Sequence, residues 1–432
     1  MLWLVIALLT TAFYFIEHGT QISRLDGFAV TADEMVAGVV AGDTGRRLAF
    51  PALGLCGALL LARRGGRRLE LRSRLGWLLL AYVAWAGISI LWSDDLPLTL
   101  RHFSVLLFCG TGALGIARQV TMRELCLIAL AVTGILLVNG VCLEIALGTF
   151  QPFSAEYRFA GTLHPNGQAA YCVTMALAAA CLARHGGPRR ILFWMLCLIG
   201  VVFLLLTKSR TGCGAFFAAP LVCGFLALPL PKKVMALAGI ISLASALLLA
   251  SSLLDWDIQD RVVNLALIGR QEEADSLSGR IPLWTELTPH VHEHFLFGHG
   301  YQTFWNPERI ENVSRLLQWA VPNGHCAYLD LLLDLGAIGS VLCLATAVTG
   351  IGAIRRRLLA GDYGYEFLFV LIVSRALNGI LESTFAELTS IPPFIMVCGI
   401  LHLAFYSGAD QFPGTEELAK GSADDPVNRK EK

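Results

Sequence analysis

Two basic residues stand in a short turn between long apolar runs. In the segment LTKSRTG, Lys208 and Arg210 separate ILFWMLCLIGVVFLLL from CGAFFAAPLVCGFLALPL. The predicted span 211–230 begins here, so both cations lie where exposed helix amides already carry partial positive charge. Amide donors together with a Lys and an Arg form an anion site. The alternative interpretation is two basic side chains that extend along a membrane interface.

Three further segments bring polar residues to the start of apolar patterns. YRFAGTLHPNGQAAY contributes Arg158, His164 and Asn166, LSGRIPLWTEL contributes Arg280, and PNGHCAYLDLLLDLGAIG contributes His325. Guanidinium groups form bidentate pairs with phosphate oxygens, so two arginines suit a diphosphate. If these segments share one side of a membrane, they could bind a diphosphate-bearing substrate together.

His325 precedes an apolar run and is predicted to sit at a helix N-terminus. The helix dipole disfavours a second positive charge there, which keeps the imidazole neutral. A neutral imidazole can act as a general base and activate a hydroxyl group. For a lone histidine, a capping or interfacial role is the alternative. Together with two arginines, this histidine indicates displacement of a lipid-linked diphosphate by a hydroxyl nucleophile.

The elements that position these residues are predicted to be membrane helices. The 432 residues have a mean hydropathy of +0.62, with 55% hydrophobic and only 15% charged residues. A soluble protein of this size needs far more polar surface. The formal net charge is +0, which argues against a nucleic-acid partner. The predicted fold class is therefore all-α, a polytopic transmembrane bundle.

Apolar run length predicts about twelve spans. They cover residues 1–17, 48–63, 75–92, 99–117, 125–148, 167–183, 190–207, 211–230, 234–253, 328–354, 364–381 and 388–407. Lys and Arg concentrate in alternate loops, which the positive-inside rule assigns to the cytoplasm. These basic loops are 63–74, 118–123, 184–190, 231–233 and 355–357.

This orientation places both termini in the cytoplasm and the candidate residues outside it. The predicted organisation is nine spans over 1–253, a periplasmic loop over 254–327, three spans over 328–407 and a disordered cytoplasmic tail over 408–432. Loops as long as 254–327 usually carry function. Short amphipathic helices are expected in it, and Ile281, Trp284 and Leu287 give one that could lie on the membrane surface.

The four histidines of HVHEHFLFGHG could form a metal site. On a strand, His290, His292, His294 and His299 could bind zinc, but no cysteine or well-spaced carboxylate completes a tetrahedral set. A polar surface segment is the favoured interpretation, and no metal or cofactor is predicted. The 12 cysteines lie mostly in apolar runs and do not form a disulfide framework.

Charged residues in and beside the spans have structural interpretations. Arg375 lies inside a predicted span and needs a carboxylate partner, for which the candidates are Asp330, Asp334 and Glu382. A structural ion pair is favoured over a substrate contact. The adjacent carboxylates at 94 and 95 precede a proline and are interpreted as a helix-end turn.

The order of five segments resembles a known family. GTLHPN, KSRTG, SGRIPLW, FLFGHGYQTFW and NGHCAYLDLLLDLGAIG follow one another as in the O-antigen ligase and O-antigen/exopolysaccharide polymerase superfamily. The resemblance covers roughly residues 157–340. One residue departs from it, because the family often has Asn after the histidine and this chain has Cys326. A thiol is a poor substitute for an amide in orienting an imidazole.

The resemblance implies a GT-C-like, inverting, metal-independent glycosyltransferase of the bacterial inner membrane. Its donor would be an undecaprenyl-diphosphate-linked glycan, and its active site would face the periplasm. Other implied partners are membrane lipids, a flippase and a chain-length regulator. By resemblance, His325 would activate the acceptor hydroxyl, Arg210 and Arg280 would hold the diphosphate with Lys208, and other substrate contacts would come from Arg158, His164, Asn166 and Tyr328.

Two alternatives to a polymerase stay open. A ligase would use the same residues but transfer the glycan to a lipid A core sugar instead of another lipid-linked repeat. The segment NGHCAYLDLLLDLG resembles exopolysaccharide polymerases and favours the polymerase. A flippase or another transporter is the non-enzyme alternative, which the absence of an evident sequence repeat and the nearly charge-free early spans disfavour.

Overall fold

The computed structural model describes residues 1–18, 36, 43–64, 67–71, 73–185, 187–238, 276–383 and 387–406. Within these ranges the regular structure is helical, which confirms the predicted all-α class. The helices are α1 (Leu2–Phe13), α2 (Thr44–Ala62), α3 (Arg74–Ile88), α4 (Leu96–Gln119), α5 (Met122–Ala146), α6 (Pro165–Arg184), α7 (Arg190–Leu206), α8 (Arg210–Ala227), α9 (Ser276–Glu293), α10 (Pro307–Leu317), α11 (Ala327–Leu359), α12 (Glu366–Asn378) and α13 (Ile391–Phe405).

Local capping groups determine where several of these helices begin. The Asp95 carboxylate accepts a hydrogen bond from the Leu98 amide at 3.0 Å, which caps α4 and confirms the helix-end interpretation for that residue. Thr121 and Glu124 form a reciprocal capping box at the start of α5. Such caps satisfy amide groups that have no partner within the helix.

The described ranges hold seven helices that are long and apolar enough to cross a membrane, by length and composition. They are α2, α3 with its extension to Trp92, α4, α5, α6, α8 and α11. Three shorter apolar helices cover Leu2–His18, Arg190–Leu206 and Ile391–Phe405. These findings fit the predicted polytopic membrane protein.

Other predicted segments differ or lie outside the description. The run 364–381 forms a helix only over Glu366–Asn378, and 13 residues span about 20 Å, less than a bilayer core. The predicted span 234–253 continues past residue 238 into residues outside the described ranges. The predicted tail 408–432 also lies outside them. All twelve cysteines are free, as expected.

The helices pack around α6, which is buried along most of its length and contacts α5, α7, α8 and α12. On one side α2 packs closely on α4, where a Cβ atom on Gly115 would lie 2.3 Å from the Gly57 carbonyl oxygen. Small residues allow such close approach between membrane helices. Helix α12 runs along α8, which places the loop after α12 beside the start of α8.

The long loop forms a second, smaller core with the first turns of α11. Its fully or nearly buried members are Leu283, Leu287, Phe304, Val313, Val321 and Leu333. The apolar face of α9 therefore packs within the loop, and the predicted membrane-surface orientation is wrong for Leu287. Ile281 was expected on that face but is 59% exposed, because the buried positions are Leu283 and Leu287, one turn apart.

Helix α11 is broken at Gly336, which has a φ of 64° and a ψ of −168°. The segment 295–300 lies against this break so closely that a Cβ atom on Gly298 or Gly336 would meet backbone at 2.4 Å. Backbone hydrogen bonds from both sides satisfy the groups that the break frees. They join His299 to Leu333, Gly300 to Asp334, Ala337 to Phe295 and Ile338 to Leu296, at 2.7 to 3.3 Å.

His299 is buried beside this break, so the polar-surface interpretation of the histidine segment is wrong for this residue. Its Nδ1 lies 2.8 Å from Asp94 Oδ2, which also accepts from Arg309 Nη2 at 2.6 Å. Burial lowers the pKa of His299, and Arg309 acts in the same direction. The histidine therefore joins the long loop to the end of α3 as a structural contact.

Candidate active site

His325 occupies a tight turn directly before α11, as predicted. Its φ is 48°, in the left-handed region that non-glycine residues rarely adopt. The Asn323 side chain accepts a hydrogen bond from the His325 amide at 3.1 Å, and the Trp319 ring lies against the imidazole with centroids 5.6 Å apart. The turn is anchored further by the Ala327 amide, which donates to the Gly379 carbonyl at 2.9 Å.

The second core also fixes Gly324, the residue between Asn323 and His325. Its carbonyl accepts from Trp284 Nε1 and its amide donates to Asp330 Oδ1, both at 2.9 Å. Trp305 Nε1 donates to the same carboxylate oxygen at 2.8 Å. The long loop thus holds the backbone that carries His325 in one position.

The imidazole of His325 is neutral at physiological pH. Burial lowers its pKa to about 4, and the positive charges of Arg280 and His164 lower it in the same direction. Sequence reasoning expected neutrality from the helix dipole and two nearby arginines; burial is the main cause, and Arg280 contributes in the expected direction. A neutral ring that remains half-accessible can accept a proton from a hydroxyl group.

Two other candidate residues, Asn166 and Arg280, meet at Glu382, which follows α12. Its Oε1 accepts from Asn166 Nδ2 at 2.9 Å and lies 3.6 Å from Arg280 Nη2. The Thr211 hydroxyl also bonds this carboxylate, and the charge of Arg375 acts on it. Four segments distant in sequence therefore converge on one side chain that is only 14% exposed.

The protonation of Glu382 is set by opposing effects. Burial raises the pKa of the carboxyl group, while Arg280 and Arg375 and two hydrogen bonds lower it. The net pKa lies above the ordinary value of a glutamate. The anionic form consequently depends on the cationic side chains around it.

Arg158, His164 and Asn166 are arranged around the start of α6. Arg158 donates from Nη2 to Asn166 Oδ1 at 3.5 Å and from Nε to the Thr207 carbonyl at 3.3 Å. His164 caps α6, because its Nδ1 accepts from the Asn166 amide at 3.3 Å. This cap orients Asn166 toward Glu382 and leaves His164 close enough to influence His325.

A two-residue segment links the arginine side of the site to the histidine side. Ser383, next to Glu382 in the chain, donates from Oγ to Asn323 Oδ1 at 3.0 Å. The same oxygen accepts from the His325 amide. Displacement of residues 382–383 would therefore disturb both halves of the site.

Arg210, Lys208 and Tyr328 have distinct placements. Arg210 is the half-buried first residue of α8 and precedes Thr211, which bonds Glu382. Lys208 donates from Nζ to the Ala155 carbonyl, and Tyr328 donates from its hydroxyl to the Ala376 carbonyl at 2.7 Å. The structure therefore places Arg210 at the site's edge and gives Lys208 and Tyr328 backbone partners.

Arg375 contacts the site from within the bundle. The carboxylates acting on this buried guanidinium are Glu382, Glu17 and Glu387. Of the predicted partners, Glu382 is the one whose charge acts on Arg375, whereas Asp330 and Asp334 accept hydrogen bonds from the long loop. Within the part of the chain that the structure describes, no group of three or more His, Cys, Asp or Glu residues could hold a metal ion.

Residues 167–344 match the family model described as O-antigen ligase. This match confirms the resemblance to the O-antigen ligase and polymerase superfamily. A search of curated proteins found no match. The matched domain contains Arg210, Arg280 and His325, while Glu382 follows it in the sequence and Asn166 directly precedes it.

Sequence reasoning did not place four residues in this candidate site. The sequence suggests Glu382 as a partner for Arg375 and as an alternative base to His325, and it suggests no individual role for Thr211, Asn323 or Ser383. A single glutamate or serine in a loop carries no local pattern that signals a site. Only the packing of α12 against α8, which places residues 382–383 beside Thr211, reveals their position.

Proposed function

We propose that this protein is a membrane glycosyltransferase with an undecaprenyl-diphosphate-linked glycan as donor. It transfers the glycan to an acceptor hydroxyl at the periplasmic face of the bacterial inner membrane, in exopolysaccharide or O-antigen polymerisation. The observation that carries the proposal is the neutral His325 beside Arg280 and the Glu382 cluster. The family match over 167–344 supports the substrate class.

The reaction proceeds as a single displacement. The acceptor oxygen attacks the anomeric carbon of the donor sugar, and His325 accepts the hydroxyl proton during the attack. The bond between that carbon and the diphosphate oxygen breaks on the opposite face, so the anomeric configuration inverts. Arg280 and Arg210 hold the diphosphate and stabilise the negative charge that it gains as it leaves.

Donor binding requires that Arg280 move from a carboxylate to a phosphate. In the structure its guanidinium lies 3.6 Å from Glu382, a long ion pair that leaves donors for another acceptor. A diphosphate offers closer bidentate geometry and more negative charge than one carboxylate. Glu382 and Asn166 then keep the arginine positioned while the donor is absent.

The arginine assignment is tested with purified protein and a lipid-diphosphate-linked glycan, in buffer with a chelator. Arg280→Ala and Arg210→Ala should each abolish transfer and donor binding, and the lysine variants should recover little, because an ammonium cannot form the bidentate pair. Arg315→Ala, on an exposed pair of α10, is the matched control. Full activity of both lysine variants would contradict a diphosphate clamp.

The acceptor is tested in cells by deletion of the gene. A polymerase acts on single lipid-linked repeats, so its loss should leave single repeats on the carrier lipid. A ligase acts on finished chains, so its loss should leave long lipid-linked chains instead. Accumulation of single repeats supports the polymerisation role, and long chains support transfer to lipid A core. Unchanged lipid-linked glycan would refute both.

A further inference from the structure

A cavity of about 410 Å³ lies between α3, α11 and α13, far from His325. Ser73, Arg74 and Leu75 line it at the start of α3, Arg356 lines it near the end of α11, and Leu403 contributes from α13. The arm of α11 after the break at Gly336 places Arg356 about 30 Å from that break, and His325 precedes the arm on the other side of it. The cavity is therefore a separate feature of the molecule.

The polar part of this cavity is cationic. Arg74 and Arg356 both line it, and no acidic side chain is among its lining residues. Within the described ranges, neither guanidinium forms an ion pair with a carboxylate. The hydroxyl of Ser73 donates to the Ala404 carbonyl at 2.6 Å and holds the start of α3 against α13. Among the described residues, these two guanidinium groups therefore line one space without a carboxylate to balance them.

Apart from Thr349, the rest of the lining is apolar and belongs to apolar helices. Leu75, Val348, Ala353 and Leu403 form a wall beside the two arginines, with Gly352 between them. A free phosphate ion would use only the cationic part of such a cavity. A phospholipid would use both parts, because its headgroup phosphate suits the guanidinium groups and its acyl chains suit the apolar wall.

The position along the helices also suits a lipid headgroup. The cavity lies where α3 leaves the Arg-rich segment 63–74 and where α11 reaches the basic run 355–357. The positive-inside rule assigns this face to the cytoplasm, whose leaflet is rich in anionic lipids. Basic pockets between membrane helices on that side bind anionic lipid headgroups.

We propose that this cavity binds an anionic phospholipid, with its phosphate between Arg74 and Arg356 and its acyl chains along the wall of α11. The site differs from the proposed glycosyl-transfer site in location and in ligand. The result of a lipid-binding experiment therefore neither supports nor contradicts the proposed glycosyl-transfer reaction.

Lipid binding is tested with the full-length protein in phosphatidylcholine nanodiscs that contain increasing phosphatidylglycerol. Native mass spectrometry counts the phosphatidylglycerol molecules that the released protein retains. The double variant Arg74→Ala/Arg356→Ala should weaken retention about tenfold or more, since both phosphate contacts are lost. Gly352→Leu should also reduce retention, because its side chain would occupy the cavity beside Arg356, whose Nη1 lies 3.8 Å from a Cβ built at position 352.

The matched control removes two arginines of the same face outside the cavity. Arg189→Ala/Arg190→Ala changes exposed residues at the start of α7 and should retain the lipid as the wild type does. Equal loss in this control would show a general surface attraction and overturn the proposal. Equal retention of phosphatidylcholine, or displacement of the lipid by millimolar inorganic phosphate, would also overturn it.

Discussion

His325 and Lys208 share an unusual backbone conformation at the scale of the residue. Both are non-glycine residues with positive φ, 48° and 50°, which costs about 1 kcal/mol each relative to an ordinary conformation. A glycine would relieve this strain but supply no imidazole and no ammonium. At His325 the surrounding contacts hold the strained turn and keep the ring near Arg280, whose charge acts on it.

His325→Gln tests the base. A glutamine keeps a hydrogen-bonding side chain but cannot accept the proton, so transfer should fall about a hundred- to ten-thousandfold while donor binding is retained. The wild-type rate should stay constant from about pH 7 to about pH 5 and fall only as pH approaches the lowered pKa of about 4. Transfer assays across this range, with donor binding measured in parallel, check both expectations.

The control for this variant is His292→Gln, which changes an exposed histidine of α9. It should leave the rate and its pH dependence unchanged. The buried neutral His325 also makes folding less favourable as pH falls below about 6.5, so the thermal midpoint is followed at each pH. A His325→Gln protein with wild-type turnover and pH profile would reduce the histidine to a structural role.

Glu382→Ala tests the residue at which the site converges. It removes the carboxylate beside Arg280 and one of the three carboxylates that act on the buried Arg375, which costs about 3 kcal/mol. Denaturation in detergent should show this loss of stability, and transfer should be lost with it. Glu311→Ala, which breaks an exposed pair with Arg315, should change stability by about 1 kcal/mol or less. Equal effects of the two substitutions would contradict a central role for Glu382.

At the scale of the element, the helices were predictable and the break in α11 was not. Apolar runs of membrane length identify spans, because lipid requires every backbone group to be satisfied within the segment. The run through Gly336 is continuous in hydropathy, so nothing in it signals an interruption. The break depends on segment 295–300, distant in sequence, whose backbone groups replace the lost helical hydrogen bonds.

The same limit applies to the candidate site. Cationic and polar residues next to spans could be selected from the sequence, and three of them, Asn166, Arg280 and His325, do lie in one cluster. Glu382 could not be selected, because its significance comes from the packing of α12 on α8. A sequence shows which residue types lie beside a span, whereas only the fold shows which distant loops come together.

Gly336→Ala tests the junction between α11 and the long loop. A Cβ atom there would lie 2.4 Å from the Leu296 backbone, and the positive φ disfavours alanine. The substitution should destabilise the protein by about 2–4 kcal/mol, which thermal unfolding in detergent would show. Gly110→Ala in α4 is the control, since no atom lies within 4 Å of its added Cβ, and it should be neutral or slightly stabilising. Similar midpoints for both variants would contradict the junction.

At the scale of the whole molecule, orientation decides whether the site can meet its proposed donor. Single cysteines at Arg68 and Glu308, both exposed, are introduced into a cysteine-free background. A membrane-impermeant thiol reagent should label position 308 from outside the inner membrane and label position 68 only after permeabilisation. Labelling of position 68 but not 308 in intact spheroplasts would refute a periplasmic site.

The break at Gly336 divides α11 into a short arm and a long arm. The short arm before it carries the His325 turn and is clamped to the long loop, while the long arm after it runs through the bundle. Membrane helices adapt to bilayer thickness by tilting. Because the interruption lies between the arms, a tilt of the long arm need not rotate the short one. The distance between His325 and Arg280 should therefore change little when the thickness of the surrounding bilayer changes.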